Sequence, residues 1–334
     1  MLPLSNIIIS RTDSIGDVIL TLPLAAVIKQ HFPSIKIAFL GKKYTQPVIE
    51  CCKYIDEFIE VEDFLNNKIS IDGCKPEAIL HVFPVKEIAS RAKKLAIPLR
   101  IGTTNRMYHW FTCNQLIRLS RKNSMLHEAQ LNLKLLSALG IQQEFSLKDI
   151  VPLFGFSCIQ PLEESFKSFI HPTKFNLILH PKSQGSAREW GIPNFIKLIE
   201  TLDTSKYHLL ISGTEKERIL LEPLFDACKD RVSDITGKMN LSQFIAFINH
   251  CNGLVANSTG PLHLAAILGK KVFGLYPPIR PMHPGRWAPI GSHATILVFD
   301  KSCNDCRKAT TTCHCMQDIS PMELANAIQS ATRL

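Results

Sequence analysis

Three short loops carry the residues best suited to chemistry. The first is Arg11-Thr12-Asp13-Ser14-Ile15-Gly16-Asp17-Val18. A glycine beside a helix start lets another molecule approach the backbone closely. Asp17 falls in the first helical turn, where the helix dipole stabilises a carboxylate. From this segment alone a capping acid is the plainer reading, and a general base is the chemical one. Gly-x-Gly-x-x-Gly is absent, which argues against a nicotinamide dehydrogenase. The second loop is His180-Pro181-Lys182-Ser183-Gln184-Gly185-Ser186-Ala187-Arg188-Glu189-Trp190. Its hydroxyls, glycine and Arg188 suit a phosphate held by backbone N–H groups and a guanidinium. An N-capping loop would use the same Ser and Gly. In the third, Asn257-Ser258-Thr259-Gly260-Pro261-Leu262-His263, a proline at a first helical position presents the free N–H groups of Ser258 to Leu262 toward an anion. A fourth grouping, Cys303-x-x-Cys306…Cys313-x-Cys315 with His314 inside it, has a spacing that suits a tetrahedral Zn²⁺. Cys313 and Cys315 are only two apart, an awkward bite, so reduced thiols are the expected state and no metal or cofactor is assigned.

The elements that would position these loops follow a βα rhythm, with short Ile/Val/Leu runs alternating with helical periodicity, the signature of a buried parallel sheet. Strands are expected at Asn6–Ser10, Ile35–Leu40, Ala78–Val82 and near Arg100. Helices are expected at Asp17–His31, near Tyr44–Cys52, at Lys86–Leu95, and at His127–Leu139 with Gly140 as its stop. The pattern restarts with strands Phe175–Leu179, Tyr207–Ser212, Gly253–Ala256, Lys271–Tyr276 and Thr295–Phe299. Between them lie helices Asn194–Leu202, Glu215–Cys228, Leu241–Cys251 and Pro261–Leu268. The expected fold is α/β, with two Rossmann-like domains at 1–154 and 173–320 joined by a linker at 155–172. A last helix within 321–334 is expected to pack back on the first domain. Ligands of such sheets bind beyond the strand C-termini, here in a cleft between the domains.

The bulk properties agree. At 334 residues the chain exceeds what one core supports, and 46% hydrophobic with 20% charged residues is ordinary for a globular protein. No basic segment followed by an apolar run opens the chain, so no signal peptide is expected. The longest apolar stretch, Val18 to Ile28, is about half a membrane span. With eleven cysteines and no disulfide pattern, a reducing cytoplasm is the expected setting. The net charge of +9 points to an anionic partner. Nine Lys/Arg and one acid, Glu87, lie between Lys86 and Lys122, although a basic stretch is usually a solvated face. Tyr108, Trp110 and Phe111 interleave with these cations, but no nucleic-acid module is recognisable, and no nucleic-acid partner is expected.

Taken in order, the three loops resemble glycosyltransferase family 9, the lipopolysaccharide heptosyltransferases. Ser212-Gly213-Thr214-Glu215, Gly237-Lys238-Met239-Asn240-Leu241 and Tyr276-Pro277-Pro278 ahead of Arg286-Trp287 add to the match. The resemblance implies a GT-B fold and inverting, metal-independent transfer of a sugar from a nucleotide, typically ADP-heptose, to the lipopolysaccharide inner core. It implies Asp17 as catalytic base, and a diphosphate held by Ser183, Ser186, Arg188, Thr259 and Gly260. Ser258 and His263 fall at the donor, Met239 beside the base, and Glu215 or Glu217 near the ribose. Arg11, Gly16, Lys86 and Arg91 are the expected acceptor contacts. Such an enzyme would work at the cytoplasmic face of the inner membrane, in peripheral contact with it. Many members carry an acid where this chain has Ser258, which opens the donor to other nucleotide sugars. Lys182, where glycine is common, adds a positive charge nearby. A non-catalytic anion-binding protein is the reading from another class.

Overall fold

A computed structural model describes residues 4–121, 124–279, 282–300 and 314–332. The chain divides into two compact units between Cys158 and Ile159. In the first unit, β1 (Asn6–Ser10), β2 (Lys36–Gly41), β3 (Glu57–Glu60), β4 (Ala78–His81), β5 (Leu99–Thr103) and β6 (Gln115–Ile117) form one sheet in the order β3-β2-β1-β4-β5-β6. All its pairings are parallel. Every residue of β1 and β4 is buried, as expected where helices cover both faces. Ile8, Leu40, Ile59 and Ile79 pack with Phe64 and Ile88 from the covering helices.

The helix expected over Asp17–His31 is two helices, Ile15–Ile19 and Pro23–His31. Pro23 has no N–H to continue the ladder, and its ring would meet the carbonyl four residues back. The chain therefore ends one helix and starts another, and the Thr21 hydroxyl donates to the Asp17 carbonyl across the break at 2.8 Å. The helix bearing Asp17 is thus one short turn. Likewise His127–Leu139 resolves into an α-helix at Glu128–Leu133 and a 3₁₀ segment at Lys134–Leu139, closed by Gly140 at φ 81°.

The second unit repeats the plan. β7 (Phe175–His180), β8 (Tyr207–Ile211), β9 (Val232–Asp234), β10 (Gly253–Asn257), β11 (Lys271–Leu275) and β12 (Ala294–Leu297) run in the order β12-β11-β10-β7-β8-β9, all parallel. Its core includes the fully buried Trp190, Phe195 and Leu198 with Phe273 and Leu209.

The closing helix runs over Pro321–Thr332. It belongs to the second unit, where Leu324, Ala325 and Ile328 enter the core. The Lys271 ammonium donates to the Ala331 carbonyl, Tyr207 Oη shares a 2.6 Å hydrogen bond with Thr332 Oγ1, and the Trp190 indole N–H donates to Ile319 O at 2.9 Å. Its apolar stripe is used against the Ile192–Thr201 helix. Among the described residues no helix is long and apolar enough to cross a membrane.

Candidate active site

Each sheet has a point where the strand order reverses, between β1 and β4 in the first unit and between β7 and β10 in the second. Loops leaving strands on either side of such a point splay apart, so ligands of parallel sheets settle there. The Arg11–Asp17 loop leaves β1, the 181–190 loop leaves β7, and the 258–263 segment leaves β10.

In the first unit Arg11 is the hub. It is 2% exposed and ion-paired to Asp13 at 2.6 Å, to Glu128 at 3.3 Å and to Asp17. Burial would lower its pKa, but Asp17, Asp13 and Glu128 outweigh burial and hold it above its ordinary value. Glu128 is fully enclosed and also accepts from Arg121 at 3.0 Å, and Arg121 donates to the Val82 carbonyl and the Asn132 side chain. The ends of β1 and β4 and the Glu128–Leu133 helix are therefore tied by one charged network. On this support Asp17 receives Arg11 at Oδ1 and the Ser14 hydroxyl at Oδ2. An ionised carboxylate has about four lone-pair sites, so each oxygen keeps capacity for a further donor. Burial pushes the Asp13 carboxyl up to about 6, against the pull of Arg11 and with the help of Asp17. Gly16 is buried beside Asp17.

The cations of the Lys86–Lys122 stretch divide into two groups among the described residues. Arg91 donates to the carbonyls of Phe64 and Asn67 at 3.2 and 2.9 Å, closing the end of the Val61–Asn66 helix. Arg100 likewise serves Thr112 O and Ile97 O. Lys86 is exposed, and with Leu65, Glu87, Ser90, Arg91 and Lys94 it lines a surface groove of about 360 Å³.

In the second unit the 181–190 loop is hung from a residue not singled out from sequence. Asn257 closes β10, donates to Pro181 O at 2.9 Å and accepts from the Trp190 N–H at 3.0 Å. Glu189, also not foreseen, organises the interior of the loop. It accepts from the Ser183 N–H and hydroxyl, both at 3.0 Å, and pairs with Lys182. The charge expected of Lys182 is thereby balanced locally. Ser186 donates from its N–H and hydroxyl to Ser183 O, and Gln184 and Gly185 take positive φ, so the loop is a tight preset turn. Arg188 is half-buried on the same turn.

The start of the Gly260–Ile267 helix offers fewer donors than expected. Pro261 has no N–H, and that of Leu262 is taken by Thr259 O at 3.2 Å. Thr259 Oγ1 is buried with no partner among the described residues. His263 is buried in the same helix. Ser258 hydrogen-bonds the buried Tyr276 phenol, whose pKa burial raises and that bond eases down. Tyr276 in turn donates to Trp287 O at 2.7 Å.

Beside β8, Glu217 caps its own helix, with Oε2 accepting from the Thr214 N–H and hydroxyl at 2.8 and 2.9 Å. Its Oε1 is buried and unpartnered among the described residues. Glu215 lies so close to Gly237 that a Cβ there would sit 2.1 Å from its carboxylate, and Gly237 N–H donates to Gly213 O at 2.9 Å. The 213–217 and 237–240 loops, with the half-buried Met239, are thus neighbours. Of the cysteine grouping, Cys303, Cys306 and Cys313 lie outside the described residues, while Cys315 is buried in the second unit's core.

Two parallel-sheet units, each with motif loops gathered at its switch point, make up a GT-B fold. The pattern of Glycosyltransferase family 9 (heptosyltransferase) matches residues 89–317, and the chain belongs to that family. Lipooligosaccharide heptosyltransferase 2 of Campylobacter jejuni is 22% identical over 326 residues, 92% of each chain. The family 9 glycosyltransferase of Veillonella parvula superposes with a TM-score of 0.81 at 22% identity, covering 99% of this chain and 98% of its own. The E. coli ADP-heptose LPS heptosyltransferase II follows at 0.76 and 16% identity, with 98% of each chain covered.

Proposed function

We propose that the enzyme transfers a heptose-like sugar from a nucleotide donor, ADP-heptose first among candidates, to an anionic lipopolysaccharide inner-core acceptor at the cytoplasmic face of the inner membrane. The observation that carries this reading is the Asp17 carboxylate, held on the buried Arg11 at the switch-point end of β1. Asp17 takes the proton of the acceptor hydroxyl as its oxygen attacks the anomeric carbon. The bond to the nucleoside diphosphate breaks in the same displacement, which inverts the anomeric configuration. General-base assistance of this kind is worth about 10²–10⁴-fold. In the second unit, the half-buried Arg188 and the Gln184 and Gly185 N–H groups of the preset turn hold the departing diphosphate, with Thr259, Gly260 and His263 beside them. Their fixed donors offset the charge that develops on departure, so the transfer needs no divalent ion. Met239 and the free oxygen of Glu217 stand on the nucleoside side. The family relationship supports the heptose donor, and the Ser258–Tyr276 pair marks where another nucleotide sugar would be accommodated.

The test is a panel of nucleotide sugars offered with a lipopolysaccharide core acceptor and read by mass spectrometry. A heptose mass added from ADP-heptose, at a rate unchanged by EDTA, is the expected result. Transfer from a different nucleotide sugar alone would replace the donor assignment, and strict dependence on Mg²⁺ or Mn²⁺ would overturn the mechanism.

A further inference from the structure

The one-turn helix His109–Thr112 in the first unit carries its apolar stripe outward. Met107, in the turn leading into the helix, and Trp110 and Phe111, within it, are 80%, 60% and 71% exposed, and the Trp110 backbone N–H donates to Met107 O at 3.2 Å, so the three lie close together. The inward face is fixed by packing on β5. Gly102 has no Cβ because one would stand 2.7 Å from both His109 Nδ1 and Cys113 Sγ. His109 is fully buried there and accepts the Thr103 N–H at 3.0 Å, so the turn cannot roll its aromatics inward. The Trp110 indole N–H donates to Thr104 O at 3.2 Å, leaving the ring's apolar surface outward. Cations frame the stripe. Lys93 Nζ donates to Phe111 O at 2.9 Å, Arg100 Nε to Thr112 O at 2.8 Å, and Arg106, in the loop just before, is exposed. One acid, Glu87, lies close enough to act on Tyr108. Single exposed apolar residues are ordinary, but three large ones on one turn within a cationic frame mark a contact surface.

We infer that Met107, Trp110 and Phe111, with Lys93, Arg100 and Arg106, form a docking surface for an anionic phospholipid bilayer. The charge sign selects that occupant, since anionic lipid surfaces attract Lys and Arg near the membrane, by about fivefold in binding for each. Tryptophan is the side chain that settles at the headgroup level, and an amphipathic turn places its apolar face there. The 104–108 loop leaves the C-terminal end of β5, two strands from β1 and so roughly 10 Å along the sheet edge from the Asp17 loop. A surface there would bring a membrane-held acceptor to the catalytic edge of the first unit. This deepens the peripheral-membrane part of the proposed function by naming the surface.

The test uses the whole enzyme and vesicles of phosphatidylcholine with or without phosphatidylglycerol, free of any glycolipid, so that its failure would leave the acceptor assignment standing. The protein should co-sediment with the anionic vesicles and not the neutral ones, with partition falling as salt rises. Trp110 emission should shift to the blue on binding, against a background from the buried Trp190 and the half-buried Trp287 that the Trp110→Ser variant measures. Trp110→Ser with Phe111→Ser should weaken partition at least tenfold, and Met107→Ser with Phe111→Ser, which keeps the indole, should do the same. Nucleoside diphosphate affinity in the second unit and the thermal unfolding profile of the whole enzyme should be unchanged in both, which controls for folding. Equal partition of the variants, binding blind to phosphatidylglycerol, or a wild-type protein that stays in the supernatant and instead self-associates through these residues would overturn the inference.

Discussion

The Asp17 carboxylate cannot be understood apart from Arg11, which serves Asp13, Asp17 and Glu128 at once. A guanidinium with its fork pre-set is suited to hold a carboxylate in one orientation. Asp13 shares the same arginine yet is pushed up to about 6 by burial, nearer to the working pH of a general base. Parallel variants separate the two. Asp17→Asn should keep nucleotide binding and lower kcat by about two to four orders of magnitude, whereas Asp13→Asn should cost much less. Single-turnover kinetics with saturating donor would measure both, and a larger loss in the Asp13 variant would move the base to that residue.

At the scale of elements, β4 ends in a histidine, His81, with no hydrogen-bond partner for either ring nitrogen among the described residues. His81 is fully buried. It is beside Ser10 of β1, and its ring centroid is 5.6 Å from that of His109. Burial first, with His109 and Arg100 adding, depresses its pKa from 6.5 to about 3. The unfolded chain therefore binds a proton near pH 6.5 that the folded chain refuses. The stability contribution is complete above that pH and is lost progressively as pH falls toward 3. His81→Leu removes the penalty together with two unpaired buried nitrogens. It should raise stability at pH 7 by about 1–3 kcal/mol and flatten the decline between pH 6.5 and 4. Urea unfolding at the two pH values measures this, and parallel declines in the two proteins would refute it.

The same scale shows what sequence discloses and what it withholds. Central strands such as β1, β7 and β10 are buried on both faces and read as unbroken apolar runs. The edge strands β3, β6 and β9 are short and partly exposed, with Glu57, Gln115 and Asp234 in them, so they carry no such run. The motif loops were visible because their glycines, hydroxyls and cations cluster within a few residues. Their supports were not. Glu128 meets Arg11 across 117 positions, and Asn257 reaches Pro181 across 76, distances at which local spacing has no say. The break at Pro23 was legible as a proline and missed because the apolar periodicity runs through it.

At the scale of the molecule, each unit has its own sheet, core and switch point, and the proposed function gives the donor and the acceptor to different units. In that proposal the nucleotide goes to the second, where the 181–190 turn, the Thr259–Gly260 helix start and the 213–217 and 237–240 loops stand at the C-terminal ends of neighbouring strands. Binding only to the native state slows exchange of the amides it holds closed, and a ligand at a hundredfold its Kd supplies roughly 2.7 kcal/mol, about a hundredfold in opening. Hydrogen exchange with saturating ADP should therefore show its largest protection in segments 181–190, 212–217, 237–240 and 257–263. Segments 11–17 and 82–86 in the first unit should change far less. An acceptor-core oligosaccharide should give the opposite pattern, centred on 11–17. If ADP protects the Asp17 loop as strongly as the 181–190 turn, the assignment of one substrate to each unit fails, and with it the reading of Arg188 as the diphosphate's partner.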